Sequence, residues 1–255
     1  MSWFEHGSSR IYYEDTGSGA PVLMLPGWAM PLGDLGALRA ALAAAGYRVI
    51  AADLPGSGRS LPQPRAYTAS YYDDDAQAFV ALLRRLEAAP AHLLGFSDGG
   101  ECALLMAELA PDAARSVITW GAGGFVSDPT GQLRQVLLNL IDQPIPPMAG
   151  FRDFLVGQYG EANARAMSQS FAAAMGEIID TRGGNLALPK ADEIACPVLL
   201  ISGERDVFVS PDMLRQLAAR VRVVEAHVVP GAPHDVNHAQ PEWMARTVLD
   251  WLGRH

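Results

Sequence analysis

Ser97 sits among glycines, in Gly95-Phe96-Ser97-Asp98-Gly99-Gly100, at a junction that few backbones can make. Ahead of it runs Ala91-His92-Leu93-Leu94, short and apolar, which reads as a buried strand. Behind it, Glu101 to Leu109 is rich in helix formers and has no breaker. A strand that passes into a helix this abruptly strains the residue at the bend, and the flanking glycines remove side chains that would clash there. Ser97 is therefore expected at the tip of the turn with its hydroxyl exposed. The helix dipole behind it favours a nearby developing negative charge.

A serine hydroxyl is a weak nucleophile until a base and an orienting acid are supplied. The histidines after Ser97 are His227, His234, His238 and His255. His227 lies in the alternating run Val221 to Val229 and reads as a strand side chain, and His255 is terminal. His234 follows that strand in the loop Pro230-Gly231-Ala232-Pro233-His234-Asp235, where reactive side chains concentrate, and is preferred over its rival His238. The acid is expected to be Asp206, presented beyond the apolar run Pro197 to Ser202 that breaks at Gly203. An Asp there can fix the imidazole's tautomer and stabilise the imidazolium. Glu204 ranks second and Asp128 third.

These stretches together resemble the α/β-hydrolase fold serine hydrolases of the small, capped esterase type, and the likeness runs through nearly the whole chain. Leu25-Pro26-Gly27-Trp28 follows the first apolar strand, where many members carry a His-Gly pair and contribute an oxyanion N–H. Asp53-Leu54-Pro55-Gly56-Ser57-Gly58-Arg59-Ser60 is similar to the family's D-x-P-G-x-G-x-S loop. The elbow, then Asp206, then His234 follow in the family's order of serine, acid and histidine. Two departures stand out. Pro26 replaces the histidine of the His-Gly pair, and Ala239 stands where many members have Glu five residues after the histidine. The resemblance implies an α/β fold with a mostly parallel central sheet, helices on both faces and an inserted helical cap. It implies backbone N–H donors at Trp28 and Asp98, an acyl-enzyme, and neither a metal nor an organic cofactor. The elbow G-x-S-D-G-G is also similar to that of valacyclovir-hydrolase-like members, which act on aminoacyl esters. That likeness makes Asp98 a candidate partner for a substrate ammonium, although an Asp in a helix's first turn is also a common structural choice.

Size and charge agree with one domain built for a small molecule. The 255 residues suffice for a substantial core. The net charge of −9 argues against nucleic acid or an anionic membrane surface as partner. No signal-like or membrane-spanning stretch is visible, and two cysteines in apolar segments, Cys102 and Cys196, read as free thiols. The expected location is the cytoplasm. The oligomeric state, monomer or dimer, is left open.

Apolar strands alternate with helices along residues 1–124 and 191–255, which places the core there. An N-terminal hairpin is expected over 10–27, turning at Gly17-Ser18-Gly19, with Pro21 to Leu25 as its second strand. The acidic triplet Asp73-Asp74-Asp75 reads as a solvated helix start rather than a metal site. No G-x-G-x-x-G opens a helix and no G-K-[ST] occurs, so a nucleotide site is disfavoured. Residues 125–190 break the alternation as several short helices, and by resemblance form the cap. Phe125, Phe151, Phe154, Met167, Phe171 and Met175 are candidate pocket residues within it, although side chains of this kind also serve to hold a cap together. The expected activity is cleavage of a small carboxylic ester. The alternatives are an aminoacyl ester, an amide or a carbon–carbon bond as substrate, or a weakly hydrolytic small-molecule receptor.

Overall fold

The structure is a computed structural model, and residues 2–255 are described. In chain order the strands are β1 (Ser2–His6), β2 (Ser9–Thr16), β3 (Pro21–Leu25), β4 (Arg48–Ala52), β5 (Ala91–Phe96), β6 (Ala114–Trp120), β7 (Val198–Gly203) and β8 (Val224–Val229). The helices are α1 (Gly36–Ala44), α2 (Tyr71–Arg85), α3 (Asp98–Leu109), α4 (Gln132–Leu138), α5 (Ala149–Tyr159), α6 (Glu161–Arg182), α7 (Pro211–Ala218), α8 (Val236–Ala239) and α9 (Pro241–Leu252). The strands form one sheet in the order β1-β2-β4-β3-β5-β6-β7-β8, parallel from β4 onward and antiparallel at β1, β2 and β4.

The central strands β3, β5 and β7 are buried almost from end to end, as strands covered on both faces must be. One core layer packs α2 and α3 against Leu23, Leu25, Leu93 and Val117. The other packs α1 and α9 against Val22, Met24, Leu94 and Ile118. Neighbouring residues of one strand thus point to opposite layers, the two-residue period expected of a sheet. This is the α/β-hydrolase architecture expected from the sequence.

Three local expectations are corrected. The N-terminal hairpin is β1–β2, and β2 pairs with β4 rather than β3. Gly17 and Gly19 do not turn a hairpin: a Cβ on either would run into the backbone of Gly46 and Tyr47, so they permit a close crossing. β3 is drawn to the sheet centre because both its faces are apolar, and β2, with Arg10, Glu14 and Asp15, suits the margin. The acidic triplet is a solvated start only at Asp73 and Asp74, in the first turn of α2. Successive helix residues point in different directions, so Asp75 is buried in a two-pronged pair with Arg65, Asp73 meets Arg182, and Asp74 accepts from Ser70. Finally, the segment between β6 and β7 is not uniformly short helices, because α6 runs for 22 residues between Gly160 and a left-handed Gly183.

Candidate active site

Ser97 follows β5 directly and has φ 50 and ψ −117, a strained conformation for a residue with a side chain. The glycines make it possible. A Cβ on Gly95 would strike the backbone of Gly99 and Gly100, and a Cβ on Gly99 would strike the carbonyls of Leu25 and Pro26. The turn is tied by Ser97 N–H to Trp120 O, 2.9 Å, and by Gly100 N–H to Ser97 O, 2.8 Å.

Asp206 and His234 arrive from the loops after β7 and β8, neighbouring strands at the same end of the sheet. The Ser97 hydroxyl donates to His234 Nε2 at 3.0 Å, and His234 Nδ1–H donates to Asp206 Oδ2 at 2.7 Å. A carboxylate has no proton to offer, so Nδ1 carries the hydrogen and Nε2 is left as the acceptor. Asp206 is held in turn by the N–H groups of Phe208 and Val209, both donating to Oδ1 at 2.9 Å. The imidazole lies between the rings of Phe96 and Phe208, with centroids 5.0 and 4.9 Å away. Gly121 presses on its edge, where a Cβ would come within 2.6 Å of Cε1.

The rival residues are engaged elsewhere. His238 Nε2 pairs with Asp34 Oδ1 at 3.0 Å, at the rim of the cavity. Glu204 accepts from Gly231 N–H and steadies the loop that carries His234. Asp128 accepts from Leu133 and Arg134 N–H at the start of α4.

Ser97 opens into a cavity of about 350 Å³. Trp28 and Asp98 line it beside the serine. Asp98 is the first residue of α3, so its N–H lacks a helical acceptor and is free to point at an anion. The rest of the wall is largely apolar, with Phe125, Phe151, Phe171, Met148, Met175 and Phe208 prominent. Of the expected pocket residues, Met167 is buried away from the lining, while Phe125, Phe151, Phe171 and Met175 are on it. Phe154 is not: it stacks on Phe151 outside the cavity lining, with centroids 6.1 Å apart. On an amphipathic helix, residues 151 and 154 share a side, and only packing decides which of them reaches the cavity.

Two buried carboxylates mark the cavity floor. Asp98 Oδ1 accepts the Tyr71 hydroxyl at 2.7 Å. Burial raises its pKa, against the pull of the Tyr71 and Tyr72 hydroxyls. Glu101 accepts from Gly123 and Gly124 N–H, and burial pushes it up to about 8 despite those bonds. Asp34 and Asp235 also border the cavity, while no Lys or Arg among the described residues does. No group of three or more His, Cys, Asp or Glu able to hold a metal occurs among the described residues. No helix among them is long and apolar enough to cross a membrane. Cys102 and Cys196 are free and buried.

The sequence reading had no role for Tyr71, Glu101 or Phe208. Glu101 stands one turn into α3, close to Ser97 along the chain, whereas Tyr71 meets the site only through packing of α2 against α3.

The fold and this serine–histidine–carboxylate chain define a hydrolase of the α/β class. The alpha/beta hydrolase family model matches residues 22–247, and the chain belongs to that family. Among its relatives is the serine hydrolase BPHL of Homo sapiens, 26% identical over 233 residues, covering 89% of this chain and 78% of that protein. Another is the 2-hydroxy-6-oxononadienedioate/2-hydroxy-6-oxononatrienedioate hydrolase of Burkholderia vietnamiensis, 28% identical over 269 residues, covering 96% and 91%. In fold, the chain is similar to a thermophilic esterase of Thermogutta terrifontis, with a TM-score of 0.75, 23% identity, and coverage of 96% and 94%. The protein is an enzyme of the hydrolase class.

Proposed function

We propose that the protein cleaves a carboxylic ester of a small molecule through an acyl-enzyme on Ser97. The observation that carries this reading is the unbroken chain from Ser97 through His234 to Asp206 at the cavity wall. His234 takes the serine proton as Oγ attacks the acyl carbon, and later returns it to the leaving alcohol. The N–H groups of Trp28 and Asp98 hold the oxyanion, and water then releases the acid through the same histidine. Residues 125–190 act as a cap that shapes the pocket and excludes water. A small molecule is the only partner this requires.

The charge of the lining favours one class of substrate. Four acidic residues and no Lys or Arg border the cavity, so a dicarboxylate such as the dioate named for one relative would find no lysine or arginine there to pair with. A neutral or cationic ester fits better. An aminoacyl ester is the reading that Asp98 supports, since its buried carboxyl is hydrogen-bonded by the Tyr71 hydroxyl, pairs directly with no Lys or Arg, and could meet an ammonium.

The test is turnover of a p-nitrophenyl ester panel and labelling by a fluorophosphonate, in wild type and Ser97→Ala. Ser97→Ala is expected to lose labelling and several orders of magnitude in kcat, leaving roughly 10³–10⁴ over water. A variant that keeps a tenth of the activity would sink the proposal. For the aminoacyl reading, an α-amino ester is compared with its des-amino analogue in wild type and Asp98→Asn. Equal treatment of the two esters by both proteins removes it.

A further inference from the structure

β3 ends at Leu25, and residues 27–30 then make a tight turn closed by Met30 N–H donating to Gly27 O at 3.1 Å. Trp28, the proposed oxyanion donor, is its second residue. Ala29 is its third and has φ 60, the left-handed region that a turn of this kind usually reserves for glycine. An alanine does not stay there unaided, and both of its peptide flanks are fixed. On one side Ala29 N–H donates to Ser57 Oγ at 3.2 Å. On the other, the Tyr159 hydroxyl donates to Ala29 O at 2.5 Å, and the Tyr159 hydroxyl oxygen in turn accepts from Gly58 N–H at 2.8 Å.

Ser57 and Gly58 belong to the core, but Tyr159 is the last residue of α5, in the segment between β6 and β7. Its hydroxyl reaches across to two core loops and is buried there. The hydroxyl suits the task because it donates and accepts at once. Burial pushes its pKa up to about 12, so it keeps its proton under ordinary conditions. The neighbouring Trp28 ring stacks on Phe171 of α6 at 4.4 Å, a second contact from the same segment to the same turn.

The geometry points to Tyr159 as a positioning residue: its hydroxyl holds the strained Ala29 turn so that the Trp28 N–H faces the oxyanion, and the docked cap thereby completes the oxyanion hole. This rests on the acyl-transfer reading above. Without the hydroxyl, Ala29 O and Gly58 N–H are left unpaired in a buried place, and the turn relaxes toward negative φ. The cost falls on the transition state, where the oxyanion exists, rather than on the bound ester.

The test is Tyr159→Phe, assayed with a p-nitrophenyl ester that the wild type turns over. kcat should fall about tenfold to a hundredfold with KM little changed, since small misplacements of an oxyanion donor have effects of this size. The loss should be uniform across pH. A trifluoromethyl ketone, which forms a tetrahedral oxyanion adduct on a serine, should lose affinity by the same factor as kcat/KM. Glycine tolerates φ 60 without strain, so adding Ala29→Gly to Tyr159→Phe should recover most of kcat. That double variant also supplies a relaxed background if Tyr159→Phe alone folds poorly. The proposal is overturned if Tyr159→Phe keeps its kcat, if kcat falls while ketone affinity holds, or if Ala29→Gly restores nothing. A wild type that neither hydrolyses esters nor takes the fluorophosphonate would instead refute the acyl-transfer reading.

Discussion

Which histidine serves Ser97 is decided by a few ångströms of loop. His234 and His238 are four residues apart, both border the cavity, and each pairs with an aspartate. Only His234 also reaches the serine, with its second nitrogen 3.0 Å from Oγ. His234→Ala is therefore expected to match Ser97→Ala in severity, because the two residues act as a unit and their losses do not add. His238→Ala should keep most of kcat, its pair with Asp34 being half-exposed and worth little. Steady-state kinetics of the two variants decide the matter, and a dead His238→Ala beside a live His234→Ala would reverse the assignment. The sequence made this pair legible as a choice between loop residues. The aromatic rings of Phe96 and Phe208 that hold the chosen imidazole come from other strands' ends and left no local pattern.

At the scale of elements, glycine carries opposite meanings in two helices. Gly99, in the first turn of α3, lies so close to the carbonyls of Leu25 and Pro26 that no side chain fits. Gly99→Ala should cost about 3 kcal/mol or more, because the clash is with backbone that cannot step aside. Gly157, inside α5, has nothing within 4 Å of where a Cβ would go. Gly157→Ala should stabilise by about 0.5–1 kcal/mol through reduced freedom of the unfolded chain and better helix propensity. Denaturant titration of both variants tests the contrast, and a destabilised Gly157→Ala would contradict it. The elbow was legible because its glycines are local. The close crossing at Gly17 and Gly19 was not, because the backbone they accommodate is that of Gly46 and Tyr47.

The whole molecule carries several carboxyls whose charge folding disfavours. Burial pushes Glu108 up to about 8 against the pull of Lys190, and its Oε1 is buried without a partner. Glu101 rises to about 8 as well, and Asp53 and Asp75 to about 6, all through burial. The sign follows from proton binding. Between the ordinary glutamate value of 4.5 and about 8, the folded state holds a proton on Glu108 that the unfolded chain has released. Stability from this group is thus complete below that window and is lost as pH rises through it. Glu108→Gln removes the dependence, so its melting temperature should gain on the wild type as pH climbs from 5 toward 8. Parallel melting curves for the two proteins over that range would exclude the effect.

By itself the sequence determined what depends on neighbours along the chain. The two-faced apolar strands required a covered parallel sheet. The Gly-x-Ser-x-Gly junction required a strained serine at a helix start, and the loops after β7 and β8 offered the preferred candidates for acid and base, Asp206 and His234. Tertiary structure decided what depends on meetings between distant segments: that β2 pairs with β4, that Asp75 is buried against Arg65, that Phe151 rather than Phe154 faces the cavity, and that Tyr159 grips the turn at Ala29. The reason is physical. Backbone strain and hydrophobic period are local quantities that a few residues express in full. A side chain's partner across 130 positions of chain, as with Tyr159 and Ala29, is fixed only when packing has placed both.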